Sequence, residues 1–581
     1  MISLKKNQWT NRQANGLDVK ECMNLLGISQ VAADILCHRQ IKSSEDLISY
    51  WNPKLEDLHD PFLMKDMDKA AKRLTKAMRQ KEKIVIWGDY DADGATSVSL
   101  LLRFFRELNA NVSYYIPNRL KDGYGLNNKG LKMLKEQEHA QVIVTVDNGI
   151  AAIEQARYAK EINVDLIITD HHEQDKILPD AMAVVNPKRQ DCNYPDKKLA
   201  GVGVAFKLSY AIAKTMAGSK PLHPQLKLWL LHSLSLVALG TVADLVPLQG
   251  ENRILAGYGL NQLSQCEWPG IKALKDISGI HDQVVASDVA FKLAPRINAA
   301  GRLDSADIGV RLMTTENVSE AFDMATNLDN SNVQRRKIEK EQAKEALKIV
   351  EDVYIGEERI LVVAGENWHP GVIGIVASRL VEKYYLPVVV ITFNNNGEGK
   401  GSCRSVFPFH IQEALSKVQD DLLNFGGHAM AAGFSIREDK IASFKKRISL
   451  IANQTFPELP QPTLKIDTWI NGLNQLSNSL LNELNQMAPF GMDNPRPLLA
   501  VKNVNVTDIR RMGRDGNHLS FNSVGPQSCF RSIAFNSADL YQPMSKSSDW
   551  DLVFEPKINN WSGRPKIELD VKGLRPSGAN S

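Results

Sequence analysis

Between Lys83 and Asn186 the chain alternates short β-branched runs with stretches of helical length. The runs are KIVIW (83–87), NVSYYIP (111–117), QVIVTVD (141–147), VDLIITD (164–170) and MAVVN (182–186). Continuous apolar runs of this kind suit strands covered on both faces, and strands joined through helices pair in parallel. The pattern therefore predicts βαβ units around a buried parallel sheet. With 581 residues in all, the sheet is one part of a chain with room for roughly three or four domains of ordinary size.

The remaining sequence divides around this lobe. Segments 201–265 and 287–326 read as largely helical, and the most apolar stretch, Leu226 to Leu239, contains Lys227, His232 and two serines. It is well short of the ~20 apolar residues that span a bilayer, so it reads as a buried core helix and no membrane association is expected. From Asn332 to about Val353 strong helix formers carry opposite charges at helical spacing, as at Lys337 and Glu341, predicting a long solvated connecting helix. A second α/β unit follows, from RILVVAG (359–365) through WHPGVIGIVASRL (368–380) and LPVVVITF (386–393). Pro457, Pro460 and Pro462 then punctuate the chain, and after Thr463 short alternating runs such as 501–509, 518–524 and 566–574 suggest a small β-barrel or sandwich. The expected organisation is an N-terminal segment (1–60), a parallel-sheet α/β lobe (61–330), a connecting helix (331–354), a smaller α/β lobe (355–456) and a β-barrel domain (463–581).

Several function classes are disfavoured. With 70 basic against 67 acidic residues the net charge is only +3, so polyanion binding requires local basic patches. Six scattered cysteines without a CxxC pair argue against a disulfide framework or a structural zinc site, and the polar N-terminus shows no secretory signal, so a cytoplasmic protein with reduced thiols is expected. No P-loop is present, and the GVG at 201–203 lacks the third glycine of a dinucleotide fingerprint.

The chemistry concentrates where the strands end. GDYDADG (88–94) follows the first strand and precedes an apolar helix, the place where parallel α/β sheets hold ligands. Asp89, Asp91 and Asp93 alternate there, and their mutual repulsion calls for a divalent cation. An EF-hand loop begins the same way, but its twelfth position falls on Leu100 instead of a bidentate Glu, and its flank is a strand. Asp147 follows the third strand; Asp170, His171 and His172 follow the fourth; Asp244 ends the apolar helix in ALGTVADLVPL (238–248). Carboxylate oxygens with one or two imidazoles suit Mg²⁺ or Mn²⁺ better than zinc.

In their order and spacing, GDYDADGAT, VTVDNGI, TDHH and GTVADLVPL resemble the DHH phosphoesterase superfamily, and within it the bacterial single-stranded-DNA-specific exonucleases. The resemblance continues through LAGVGVAFKL (199–208), PRINAAGRL (295–303), WHPGVIGIVASRL and FGGHAMAAGF (425–434). It implies that Asp91, Asp93, Asp147, His171 and Asp244 hold two metal ions, with Asp93 or Asp147 able to bridge them. Asp89 would add a ligand or support one, Asp170 would orient an imidazole, and His172 would face the scissile phosphate. Trp87 stands where some members have a metal-binding His, which favours Asp89 as the substitute.

The same resemblance assigns the smaller lobe to the DHH-associated domain, with Ser402, Arg404, Gly427 and His428 near the terminal nucleotide. Arg302 would bind a phosphate from the larger lobe, with Arg296, Asn298 and Arg119 as weaker candidates. The β-rich tail resembles an oligonucleotide-binding (OB) barrel, whose Phe521, Phe530, Phe535 and Trp561 interleave with Arg510, Arg511, Arg514 and Arg531 to stack on bases and attract a backbone. The implied activity is metal-dependent 5′-to-3′ hydrolysis of single-stranded DNA to 5′-mononucleotides in recombination and repair. Single-stranded-DNA-binding protein and a DNA helicase are the implied partners.

Overall fold

All five runs between Lys83 and Asn186 are strands: Ile84–Trp87, Val112–Tyr115, Val142–Thr145, Asp165–Thr169 and Ala183–Val185. The structure is a computed structural model that describes residues 7–14, 16–39, 41–117, 125–303, 306–354, 356–394, 396–559 and 565–578. Every pairing in this sheet is parallel, and Ile84–Trp87 lies between Val112–Tyr115 and Val142–Thr145. The second strand in sequence thus sits outside the first, and the later strands add on the other side. The order reverses between Ile84–Trp87 and Val142–Thr145, and at such a reversal the loops leaving adjacent strands diverge and open a crevice at their carboxyl ends.

Both faces of the sheet are covered, as the unbroken apolar runs require. Ile84, Ile86, Val142 and Val144 point into a large core shared with helices Met67–Arg79, Ala92–Glu107, Gly201–Ala217 and Pro224–Ala243. Val85, Trp87 and Ile143 face a second core with Leu131, Leu134, Ala156 and Ala159 of helices Asn128–Gln137 and Ile153–Glu161. Helix Pro224–Ala243 is apolar enough to cross a membrane by composition, yet its Leu234, Leu236, Val237 and Leu239 are buried among the neighbouring helices. It is the core helix that its interrupting Lys227, His232 and serines suggest. This sheet and its helices form one compact unit, residues 52–334 together with 488–495.

The other unit comprises residues 1–51, 335–487 and 496–581. The connecting helix is longer than its charge pattern indicated, running Val318–Val353, because the Asn317 side chain accepts from the backbone N–H groups of Ser319 and Glu320 and starts it early. The smaller α/β lobe is a five-stranded mixed sheet in the order Leu422–Gly427, Ala431–Arg437, Glu398–Arg404, Val388–Phe393, Leu361–Glu366. Its helix begins at Ile373, later than the apolar pattern from Trp368 suggested, since His369 to Gly371 form a turn in which the Gly371 N–H donates to His369 Nδ1.

The tail is a closed barrel of five strands: Leu499–Met512, His518–Gly525, Ser528–Ala534, Asp549–Asn559 and Lys566–Pro576. Pairing of Leu499–Met512 with Asp549–Asn559 closes it. The N-terminal strand Gln8–Asn11 pairs in parallel with Thr463–Ile466.

Candidate active site

The turn after Ile84–Trp87 is held by hydrogen bonds that its own sequence only half supplies. Asp91 caps helix Ala92–Glu107 and accepts from the Gly94 N–H at 2.9 Å, as an N-terminal Asp should. Asp93, in the first turn of that helix, is buried, and its carboxylate accepts from the Gly201 and Val202 N–H groups at 2.7 and 2.9 Å. These donors are the unsatisfied amides at the start of helix Gly201–Ala217. Gly201 is indispensable there, because a Cβ would lie 2.7 Å from Asp147. The Asn298 side chain accepts from the Ala92 N–H at 2.7 Å and braces the turn.

Asp147, at φ 61°, turns back over the sheet end beside His171. Asp89, Asp91 and Asp147 offer oxygens within 4.8 Å of one another, as do the ligand atoms of Asp93, His171 and Asp244, and those of Asp147, His171 and His172. His171 Nε2 lies 3.0 Å from Asp147, 3.6 Å from Asp244 and 4.0 Å from Asp93. The six residues expected as ligands are therefore assembled at the switch point, on loops from separate strands and one helix end.

Asp170 stands apart from that group. One of its oxygens accepts from the His171 and His172 backbone N–H groups and from His172 Nδ1 at 2.7 Å, and the other accepts from the Ile150 N–H. The imidazole it orients is that of His172, whose ring lies 4.5 Å from that of His171. Asn186, wholly buried, donates to the His172 carbonyl at 2.9 Å. Trp87 is fully buried, packed against Tyr115 and into the space left by Gly130, and takes no part in the cluster.

The electrostatics follow from crowding. Burial, then the charge of Asp91, pushes Asp93 up to about 7. Burial, then Asp93 and Asp91, raises Asp244 to about 8, and burial with four neighbouring carboxylates holds Asp147 well above the ordinary range. His171 is driven down to about 3 by burial and then by the charge of His172. For His172 burial opposes the charged ring, but the Asp170 hydrogen bond and charge prevail and push it up to about 9. Such a cluster can be fully ionised only around a cation. The donor set fits one: Asp147 Oδ1 and His171 Nε2 are buried and face each other without forming an aligned hydrogen bond. Oxygen donors with one or two imidazoles match hard divalent ions such as Mg²⁺ or Mn²⁺.

Arg302 lies in the same unit, near the end of helix Ala294–Leu303 and after Gly301, where a Cβ would lie 2.4 Å from the Tyr90 carbonyl oxygen. Of the weaker phosphate candidates, Arg296 pairs with Asp329 at 2.9 Å and the Asn298 side chain accepts from the Ala92 N–H. Arg119 and Trp561 lie outside the described residues. In the smaller lobe, Ser402 and Arg404 share one face of strand Glu398–Arg404, with Arg404 Nη1 3.4 Å from the Ser402 hydroxyl. Gly374, at the start of helix Ile373–Tyr384, leaves room for both side chains: a Cβ there would lie 2.9 Å from Ser402 and 3.1 Å from Arg404. Gly427, at φ 140°, and exposed His428 lie at the same end of the sheet, two strands away. In the barrel, Phe521 is core, Phe530 is half-buried and Phe535 is exposed, as are Arg510, Arg511, Arg514 and Arg531.

The amide clamp of Gly201 and Val202 and the brace from Asn298 escaped sequence reasoning. The clamp's signal was the glycine-rich LAGVGV stretch, which periodicity reads as the start of a core helix, and Asn298 stood in PRINAAGRL as a phosphate candidate and not as a brace.

Family models match at residues 83–241 (DHH family, N-terminal domain), 357–454 (DHHA1 domain) and 466–573 (RecJ OB domain). The chain is 38% identical over 570 residues to the single-stranded-DNA-specific exonuclease RecJ of Bacillus subtilis, covering 98% of this chain and 70% of that protein. It is 36% identical to the Escherichia coli protein of the same name, covering 88% of this chain and 90% of that one. The crystal structure of Thermus thermophilus RecJ in complex with Mn²⁺ superposes with a TM-score of 0.83 at 30% identity, covering 99% of this chain and 81% of that one. The Mg²⁺ complex gives 0.78 at 29% identity, covering 99% of this chain and 79% of that one.

Proposed function

This chain belongs to the RecJ family of single-stranded-DNA-specific exonucleases, and from that membership we infer that it is a metal-dependent exonuclease that hydrolyses single-stranded DNA. The observation that carries the reading is the convergence of Asp89, Asp91, Asp93, Asp147, His171 and Asp244 at the reversal point of a parallel sheet. Asp91, Asp93, Asp147, His171 and Asp244 would hold two ions, with Asp89 as a further donor. Ions held there would supply Lewis-acid activation of water and of the phosphate and would offset charge on the departing oxygen. The chain's own contribution is to hold those donors fixed: the Gly201 and Val202 amides aim Asp93, and the buried neutral ring of His171 keeps its lone pair available. His172, positively charged and oriented by Asp170, would neutralise charge growing on the scissile phosphate.

Polarity needs a second site that recognises one terminus. Ser402, Arg404, Gly427 and His428 supply the chemistry for a 5′-phosphate, and Arg302 for a phosphate beside the acidic turn. The reading is therefore 5′-to-3′ release of 5′-mononucleotides, in cytoplasmic recombination and repair alongside single-stranded-DNA-binding protein and a helicase.

The test compares end-labelled single-stranded and duplex DNA with Mg²⁺ or Mn²⁺ and with chelator. Metal-dependent loss of the single strand alone is expected, and purified, folded Asp91→Ala should be inactive. Near-normal turnover by that variant would sink the ligand assignment. Arg404→Ala should narrow the advantage of 5′-phosphorylated over 5′-hydroxyl strands by roughly ten- to a hundredfold, the worth of a charge-assisted contact.

A further inference from the structure

Within the unit that carries the acidic cluster, a cleft of about 640 Å³ is lined by Glu173, Lys188, Lys197, Lys198, Val246 and Pro247, among others. Its walls continue the segments that build the cluster. Glu173 follows His172, Val246 and Pro247 follow Asp244, and Lys197 and Lys198 lead into the helix whose first amides clamp Asp93. Lys188 is tied to the same place, because its N–H donates to Asn186, which in turn donates to the His172 carbonyl.

The charges in the cleft are only loosely cancelled. Lys188 lies 3.2 Å from Glu173, whose side chain is 70% exposed, and Lys198 lies 3.7 Å from Asp493. Solvated ion pairs of this kind contribute little, so an incoming phosphate can replace the carboxylate. Lys197 Nζ donates to the Cys192 carbonyl at 2.5 Å, a neutral partner, and no carboxylate among the described residues lies within 4 Å of it. Arg189 also borders the cleft but is committed to Asp66 and Asp191.

We propose that this cleft binds the phosphodiester backbone of the DNA strand adjoining the reacting phosphate, with Lys188, Lys197 and Lys198 as the contacts. The assignment rests on the exonuclease reading above and adds where the strand runs beyond the cluster. Ammonium groups on flexible stems attract phosphates without reading bases, which suits an enzyme that must advance along any sequence.

The experiment uses the full chain with Lys197→Gln/Lys198→Gln and, as a milder change at a half-exposed position, Lys198→Gln alone. Binding of fluorescent oligothymidylate is followed by anisotropy in chelator across a salt series. Each lost contact should reduce the slope of log K against log salt by about 0.7. Hydrolysis of thymidine 5′-p-nitrophenyl phosphate with Mn²⁺, which has no strand beyond the reacting bond, should be unchanged. An unaltered salt slope in the double variant overturns the proposal. So does weakened inhibition by thymidine 5′-monophosphate with strand binding intact, which would assign the cleft to released product. Failure of the exonuclease reading looks different: the unsubstituted protein would show no metal-dependent cleavage of either substrate.

Discussion

At the scale of single residues, letters alone did not separate ligands from supports. Asp170 and Asp147 both follow apolar strands and look alike in sequence, yet both Asp170 oxygens accept hydrogen bonds from its own neighbourhood while Asp147 faces the acidic cluster. The residue types and their strand-end positions were legible; the direction of Asp93 was not, because its carboxylate is held by the Gly201 and Val202 amides of a distant segment. The crowding has a consequence for stability. Asp93 at about 7 and Asp244 at about 8 lie above their ordinary values, as does Asp147, so each binds its proton more tightly folded than unfolded. Their contribution is complete below the unfolded value and is lost as pH rises through the folded one. His172, raised to about 9, acts in the same direction above its ordinary value of 6.5. His171, lowered to about 3, opposes them only below 6.5. Between about pH 6.5 and 8 the metal-free protein should therefore lose stability as pH rises. Divalent ions bind the ionised carboxylates, so thermal unfolding should show a larger Mg²⁺- or Mn²⁺-induced rise in Tm at pH 8 than at pH 6.5. Equal rises would mean that these carboxyls are not the ions' ligands.

At the scale of elements, helices reach the cluster through glycine. Gly240, in helix Pro224–Ala243, sits where a Cβ would come within 2.3 Å of the Thr96 hydroxyl, 2.8 Å of Asp93 and 2.8 Å of Val202. Gly240→Ala should cost about 1–3 kcal/mol by overpacking and, by displacing Asp93, weaken the metal response in the same thermal assay. Gly257, in helix Gly250–Gln265, has nothing nearer than 3.8 Å, so Gly257→Ala should be neutral or stabilise by up to about 1 kcal/mol. Matching losses in the two variants would argue that general helix strain, and not the approach to Asp93, governs the effect. The parallel sheet was legible because buried strands write continuous apolar runs, and the barrel because half-exposed strands alternate. The start of helix Ile373–Tyr384 was not, since Trp368 and Val372 are buried in the same core as the helix and extend its apolar pattern backwards through a turn.

At the scale of the whole molecule, one short stretch beyond the prolines returns to the α/β unit. Residues 488–495 fold with the α/β unit, where the Leu248 N–H donates to the Met492 carbonyl and Gly491 packs on the Leu248 side chain, although they lie beyond Pro462. A chain ending at residue 495 should therefore keep the acidic cluster and its metal-dependent cleavage of very short oligonucleotides, whereas one ending at residue 462 should also lose thermal stability of the catalytic unit. Both lack the closed barrel with exposed Phe535, Arg510, Arg511, Arg514 and Arg531. With a net charge of only +3, attraction to a long polyanion must come from such local patches. Stacking and backbone contacts add up over successive nucleotides, so removing the barrel should weaken binding to long single strands far more than to strands of two or three nucleotides, and should flatten the salt dependence. Anisotropy with long and short oligothymidylates across salt, alongside circular dichroism of both truncated chains, provides the measurement. Equal losses on long and short strands by the folded 495-residue chain would show that the barrel acts on the catalytic unit itself, and not as a separate hold on DNA.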